Sequence, residues 1–333
     1  MNKKILDNEV RWGIIGAGNV CEVKSAPAMN LIGNSSLVAI MRRDAAKAED
    51  FARRHNVPAW YDNADDLVND SSVNAIYIAT PPNVHLDMTR KAAEAGKPVY
   101  VEKPMARTYN ECLQMIDVCE KAGVPLYTAY YRRSLPNFLK VRDLVEQGLI
   151  GDVRMVNIRM YKPLKPENIS TGKHNWRVDP EIAGGGYFYD LASHQLDFLD
   201  FLFGPVATAS GLSANQAGLY ETEDIVTGSF RFENGVMGTG SWCFTASADT
   251  DLDHTVIIGS EGEISYPSFG ESWVELRSDK HGVKRFNFEM PRHIQQPHIT
   301  TVVADLLGSG VCPSTGHSGA RTNRVMEQLV YAQ

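Results

Sequence analysis

Three clusters of residues have types and spacings that could do chemistry. Asp190 and His194 stand four apart in a run opened by Gly184, Gly185 and Gly186 and closed by Gly204-Pro205. On a helix that spacing brings both side chains to one face, with Asp197 a turn below. A carboxylate next to an imidazole suits general acid/base work, and it suits equally a polar helix face that pairs with itself. Lys103 sits in Val99-Tyr100-Val101-Glu102-Lys103-Pro104, a short apolar run that ends abruptly in charge. Such a run reads as a buried parallel strand delivering Lys103 to the carboxyl edge of a sheet, where ligands bind. An ammonium there needs a partner, because burying it alone is expensive. Taken by themselves, the same six residues are also an ordinary Lys-Pro turn closing a strand.

The third cluster points to a nucleotide. The strand Val10-Arg11-Trp12-Gly13-Ile14-Ile15 runs into Gly16-Ala17-Gly18-Asn19-Val20-Cys21. Gly16 permits a tight turn and Gly18 lets backbone approach a pyrophosphate, which Asn19 and Val20 would meet at a helix N-terminus. Cys21 replaces the third glycine of the fingerprint and is small enough for close packing. After the next strand, Ser36 to Met41, come Arg42, Arg43 and, a helical turn on, Lys47. NAD sites usually place a carboxylate there for the ribose hydroxyls. Arginine forks fit a phosphate instead, so the pattern predicts a 2′-phosphate site and NADP. A solvated basic helix start is the alternative, disfavoured because cations at a helix N-terminus need an anion to meet.

These clusters need a frame to hold them. Strands at Ala75–Ala79, Val99–Val101 and Val124–Tyr130 alternate with helices, one stopped by Gly96 and another, Tyr109 to Ala122, by Gly123. This alternation predicts a doubly wound parallel sheet over residues 1–129. Beyond it, a helix from Leu135 to Gln147 leads to strands at Val153–Tyr161, Ile225–Phe232, Val236–Phe244, His254–Gly259 and from Ile264, with Asn234-Gly235 as a hairpin turn. Residues 130–333 therefore read as an α+β domain with a large open, mostly antiparallel sheet. One face of such a sheet needs a cover, and a second subunit could supply it, giving a homodimer or homotetramer. The chain closes at Gln333 inside a helical run whose last turns are expected beyond that point.

Bulk properties narrow the class. With 333 residues, 43% hydrophobic and 22% charged, the chain suits a soluble two-domain protein. A net charge of −7 argues against a nucleic-acid surface. Cys21, Cys112, Cys119, Cys243 and Cys312 lack metal-ligand spacing and read as reduced, mostly buried thiols, so no metal site is expected. Cys112 and Cys119, seven apart, should share one helix face. No run is long and apolar enough to span a bilayer, and residues 1–7 lack the apolar region of a signal peptide, so a cytoplasmic location is expected.

In order along the chain, Gly16-x-Gly18, Thr80-Pro81-Pro82, Glu102-Lys103-Pro104, Trp176-Arg177 and Gly184-Gly185-Gly186 leading to Asp190-x-x-x-His194 resemble the glucose-fructose oxidoreductase / inositol dehydrogenase / MocA (Gfo/Idh/MocA) family. The ordered combination spans nearly the whole chain. It implies a Rossmann domain followed by a sheet domain, and hydride transfer between NADP, or NAD, and a carbinol or carbonyl carbon of a sugar or polyol. The resemblance also implies roles. Lys103 would polarise the reacting oxygen, His194 would be the acid/base, and Asp190 would orient substrate or histidine. Gly16, Gly18, Asn19, Val20, Arg42, Arg43, Thr80, Pro81, Pro82, His85, Glu102, Lys103, Trp176 and Arg177 would hold the cofactor. Tyr131 and Arg132 are expected to line the pocket, with specificity set by loops at residues 162–166 and 170–175. His174 and His298 are expected at the surface. Two other classes fit the same resemblance, a redox-assisted glycosidase and a non-catalytic sensor. The joint presence of Lys103, Asp190 and His194 argues against the sensor.

Overall fold

A computed structural model describes residues 5, 7–164 and 175–331. The chain begins with β1 (Val10–Ile15), a π turn (Cys21–Ser25) running into α1 (Ala26–Met29), β2 (Ser35–Met41), α2 (Ala45–His55), β3 (Ala59–Tyr61), α3 (Ala64–Asn69), β4 (Ala75–Ile78), α4 (His85–Glu94), β5 (Val99–Val101), α5 (Tyr109–Ala122) and β6 (Leu126–Thr128). Next come α6 (Pro136–Glu146), β7 (Val153–Pro163), α7 (Pro180–Ala183), a second π turn (Phe188–Ala192) and α8 (Ser193–Phe203). The rest is β8 (Val206–Ala214), β9 (Ile225–Phe232), β10 (Met237–Ala246), β11 (Leu252–Gly259), β12 (Gly262–Tyr266), β13 (Trp273–Ser278), β14 (Gly282–Asn287), α9 (Gln296–Leu306) and α10 (Gly316–Tyr331).

The chain forms two compact units, residues 1–131 with 291–320, and residues 132–290 with 321–333. After the chain has passed through the second unit, α9 lies in the first. There Ile299, Val302, Val303 and Leu306 join Trp12, Met29 and Tyr100 in one apolar core. Burying four such side chains stabilises by about 1.5–3 kcal/mol each, more than any local preference could oppose. His298 goes in with them, fully buried with Nε2 3.3 Å from the Thr128 carbonyl, so its expected surface position is corrected.

In the first unit six parallel strands stand in the order β3-β2-β1-β4-β5-β6, the doubly wound arrangement expected. Its helix starts follow sequence signals: Asp44, Asn63 and Thr108 each accept a backbone N–H as N-cap of α2, α3 and α5. Cys112 and Cys119 are both buried on α5, as their spacing predicts. In the second unit eight strands stand in the order β14-β13-β12-β11-β7-β10-β9-β8. The sheet is mostly antiparallel, and the Asn234-Gly235 turn joins β9 to β10 with Gly235 at φ +92°. One pair departs from the expected meander: β7 and β10 run parallel from Met155↔Met237 onward. β7 is followed by the long segment that carries α8 before the chain re-enters the sheet, and a connection of that length permits a parallel return. All five cysteines are unbridged thiols, four of them buried and Cys243 half-buried. Among the described residues no helix is long and apolar enough to cross a membrane, and no three metal-capable side chains gather.

Candidate active site

In the first unit the glycine turn hangs on β2. The Gly16 and Ala17 amides both donate to the Met41 carbonyl, at 3.0 and 3.2 Å, which brings the turn beside Arg42 and Arg43. Gly16 has φ +85°, and a Cβ there would lie 2.6 Å from Thr80 Cγ2, so only glycine fits. Gly18 differs: a Cβ would meet nothing nearer than the Gly16 carbonyl oxygen at 3.7 Å, so its surface is open. Asn19 is exposed and Val20 half-buried where the helix begins. An open glycine before a helix start, backed by a buried Thr80 hydroxyl without a protein partner, fits a dinucleotide pyrophosphate.

Around the turn, most charges are committed. Lys47 pairs with Asp44 at 2.9 Å, and Arg54 pairs with both Glu22 and Asp50. Among the described residues no carboxylate lies within ion-pair distance of half-buried Arg42 or exposed Arg43. The Arg54 guanidinium bonded to Glu22, with His55 adding to it, holds the Glu22 carboxyl down at about 2. Burial pushes the Cys21 thiol up to about 12, so this third-glycine substitute is an inert packing group.

Thr80-Pro81-Pro82 leads into α4, whose first residue is His85. The His85 ring is fully buried with Nδ1 3.0 Å from the Met105 carbonyl and Nε2 2.8 Å from the Thr80 carbonyl. Burial pushes its pKa below the ordinary value, against the pull of those carbonyls. The side chain therefore ties the Thr80 turn to the segment after Lys103. Glu102 is buried as well: its Oε1 accepts from Tyr77 Oη at 2.5 Å and Gln295 Nε2 at 2.6 Å, and its Oε2 from the Lys103 amide at 3.1 Å. Lys103 follows half-buried, ahead of a cis bond to Pro104.

In the second unit Asp190 lies inside the π turn, and His194 lies in the first turn of α8. Single π turns in helices are frequent at functional sites, and both of those here fall on chemistry-bearing stretches. Gly186 has φ +61° and faces Thr222 closely enough to exclude any side chain. The Arg177 Nε lies 3.5 Å from Asp190 Oδ2, and its guanidinium stacks over Trp176 at 4.6 Å. His194 is 2% exposed, with its ring edge-on to Phe269 at 5.7 Å.

Several residues that the sequence did not mark support that ring. The Asp253 carboxylate accepts the Ser268 and Phe269 amides at 3.0 and 2.6 Å, and Gln195 donates to its other oxygen. Gln195 also accepts from the Trp242 indole at 2.8 Å. Burial raises the Asp253 pKa, against those amide bonds. Arg132, expected in the pocket wall, stacks on Phe269 at 4.1 Å and donates to the Ser268 carbonyl; Tyr131 is nearly buried in the first unit. Asp197 is not a third member of the histidine face, because both its oxygens are taken by Arg133, at 2.7 and 2.8 Å. The 162–166 and 170–175 loops are described only at 162–164 and at Asn175, whose side chain donates to Tyr187 Oη; His174 lies outside the described residues.

The fold and these sites define an NAD(P)-dependent oxidoreductase with a Rossmann unit and a mostly antiparallel sheet unit. The family model described as "Oxidoreductase family, NAD-binding Rossmann fold" matches residues 10–130, and the GFO/IDH/MocA C-terminal domain matches residues 138–265. The chain belongs to the Gfo/Idh/MocA family of oxidoreductases. It is 38% identical to oxidoreductase P35 of Formosa agariphila, over 97% of this chain and 98% of that one. It is 28% identical to D-xylose 1-dehydrogenase [NADP(+)] of Haloarcula marismortui, over 78% and 72%. Levoglucosan dehydrogenase, solved with NADH and levoglucosan, shares the fold with a TM-score of 0.86 at 20% identity, covering 96% of each chain.

Proposed function

We propose that this enzyme uses NADP to exchange a hydride with a carbinol or carbonyl carbon of a sugar, polyol or related small molecule. The observation that carries the cofactor choice is the pair Arg42 and Arg43 beside the glycine turn, with no carboxylate within ion-pair distance among the described residues while Lys47 and Arg54 are paired. Two uncommitted guanidinium forks suit a 2′-phosphate. One relative carries NADP in its name and another was solved with NADH, so the NADP reading rests on the arginines. The substrate class follows the xylose and levoglucosan named for those proteins.

When bound, the nicotinamide supplies or accepts the hydride. The Lys103 ammonium stabilises negative charge developing on the reacting oxygen, and His194 gives or takes that oxygen's proton. Asp190 orients substrate or histidine, and Trp176 and Arg177 close over the cofactor. Exposed Leu212, Met237 and Val283 on β8, β10 and β14 support pairing of subunits through the eight-stranded sheet, which light scattering would reveal as a dimer or tetramer.

The test is an aldose and polyol screen with NADP+ and NADPH, followed by Lys103→Ala and His194→Ala on the best substrate. Turnover should fall by more than about a thousandfold in each, with NADPH affinity within about threefold of the parent. Loss of NADPH binding in both variants would mean that these residues are structural.

A further inference from the structure

Gln295 belongs to none of the motifs above, yet it is 1% exposed and bonded to Glu102, the residue before Lys103. It lies at the start of α9, 193 residues from Glu102 in sequence, and donates through Nε2 to Glu102 Oε1 at 2.6 Å. Its Oε1 lies 3.5 Å from Tyr77 Oη and 3.4 Å from Tyr100 Oη. Its own amide donates to the Lys24 carbonyl, 3.2 Å away in the π turn that follows the glycine loop. Glu102 in turn accepts the Lys103 amide. The Gln295 side chain thus joins the tyrosines of two central strands to the carboxylate that holds the Lys103 backbone, while its backbone N–H ties the same residue to the helix behind the glycine turn.

We propose that Gln295 is a positioning residue for Lys103, acting through Glu102. The donors recorded for the Glu102 carboxylate are a tyrosine hydroxyl, the Gln295 amide and a backbone N–H. A buried carboxylate keeps its place only while its oxygens are bonded, so losing the Gln295 donor frees Glu102 to turn and carry the Lys103 amide with it. Glutamine suits the task because its amide donates to Glu102 while its oxygen faces the two tyrosine hydroxyls. The inference rests on the catalytic reading of Lys103 only for its consequence in turnover, since the geometry can be tested without substrate.

The experiment is competitive labelling of the whole protein with trace acetic anhydride from pH 6 to 11, read by peptide mass spectrometry. Lys91 and Lys121, both in surface ion pairs, serve as internal references. In Gln295→Leu the labelling rate of Lys103 should change at least about fivefold, with both references within about twofold. Gln295→Glu keeps the shape but sets a second carboxyl against Glu102, so the two share a proton that leaves as pH rises. The other titratable groups facing this pair are Tyr77, Tyr100, Cys21 and His85, with His298 beyond Tyr100; burial holds both tyrosines well above their ordinary range and His85 below its own. The Lys103 profile in Gln295→Glu should therefore gain a step that the parent lacks. If Gln295→Leu does not fold, Gln295→Glu decides. Lys103 profiles that superimpose on the parent in the folded variants overturn the proposal. Full turnover in Lys103→Ala overturns instead the catalytic reading and leaves the labelling result to stand or fall by itself.

Discussion

Arg177 and Asp190 form an ion pair within the second unit, Nε to Oδ2 at 3.5 Å, although one was expected over the cofactor and the other beside the histidine. The guanidinium therefore competes for the carboxylate assigned to orient His194 or substrate. Arg177 is about half exposed, so the pair is weak and screened by salt. Arg177→Ala should change kcat by about 5–50-fold and flatten the dependence of kcat on ionic strength. Steady-state rates at low and high salt check this, and an unchanged salt profile would remove Asp190 as the target of Arg177.

Asp197 should matter for stability and not for proton transfer. Burial raises its pKa to about 6, with Arg133 acting the other way; against burial, Asp197 and Asp200 hold the Arg133 guanidinium above its ordinary range. Asp200 also takes Arg321, so the four charges form one network. Asp197→Ala removes the bidentate partner of a guanidinium that is 3% exposed and leaves the longer 3.2 Å bond to Asp200, at a cost of up to about 3–5 kcal/mol. Denaturant unfolding measures the loss. A stable variant with lost turnover would return Asp197 to the chemistry.

The two turn glycines should separate by phenotype. Gly16→Ala forces a side chain into φ +85° against Thr80 and should cost about 1–3 kcal/mol of stability together with NADPH binding. Gly18→Ala meets only open space, so its melting temperature should hold while NADPH affinity falls at least about tenfold. Parallel thermal melts and NADPH titrations check both. Unchanged NADPH affinity in Gly18→Ala would argue against a pyrophosphate at that turn.

Much of this frame was legible in the sequence because it is local. The glycine turn, the helix stop at Gly123 and the Asn234-Gly235 hairpin each act through neighbours a few residues away, so residue type and spacing suffice to find them. Contacts closing over long separations were not legible: Gln295 on Glu102, His298 under Thr128 and Arg133 on Asp197 depend on where α9 and α8 come to rest. Asp190 and His194 stand out by their spacing, whereas the Asp253 bonds holding the Phe269 loop beside His194 carry no local signature.

The Glu22 link predicts an acid-sensitive brace behind the cofactor turn. Its carboxyl is held at about 2 in the folded protein against an ordinary 4.5, so its contribution is fully present above pH 4.5. As pH falls through that range toward 2, the unfolded chain takes up the proton first and the contribution disappears. Glu22→Gln should cost about 1 kcal/mol at pH 7, allowing for the partial exposure of Glu22 and Arg54, and almost nothing near pH 2. Chemical denaturation at several pH values reads the difference. A gap that persists at pH 2 would mean that shape and not charge is responsible.

The most direct test of the central claim is a fluorescence titration of the protein with NADPH and with NADH, repeated on the Arg42→Ala/Arg43→Ala variant. The account predicts NADPH binding at least about tenfold tighter than NADH, with that preference abolished in the variant and NADH affinity little changed. Equal or tighter binding of NADH by the parent protein would contradict it, leaving the two arginines as solvated charges and NAD as the cofactor.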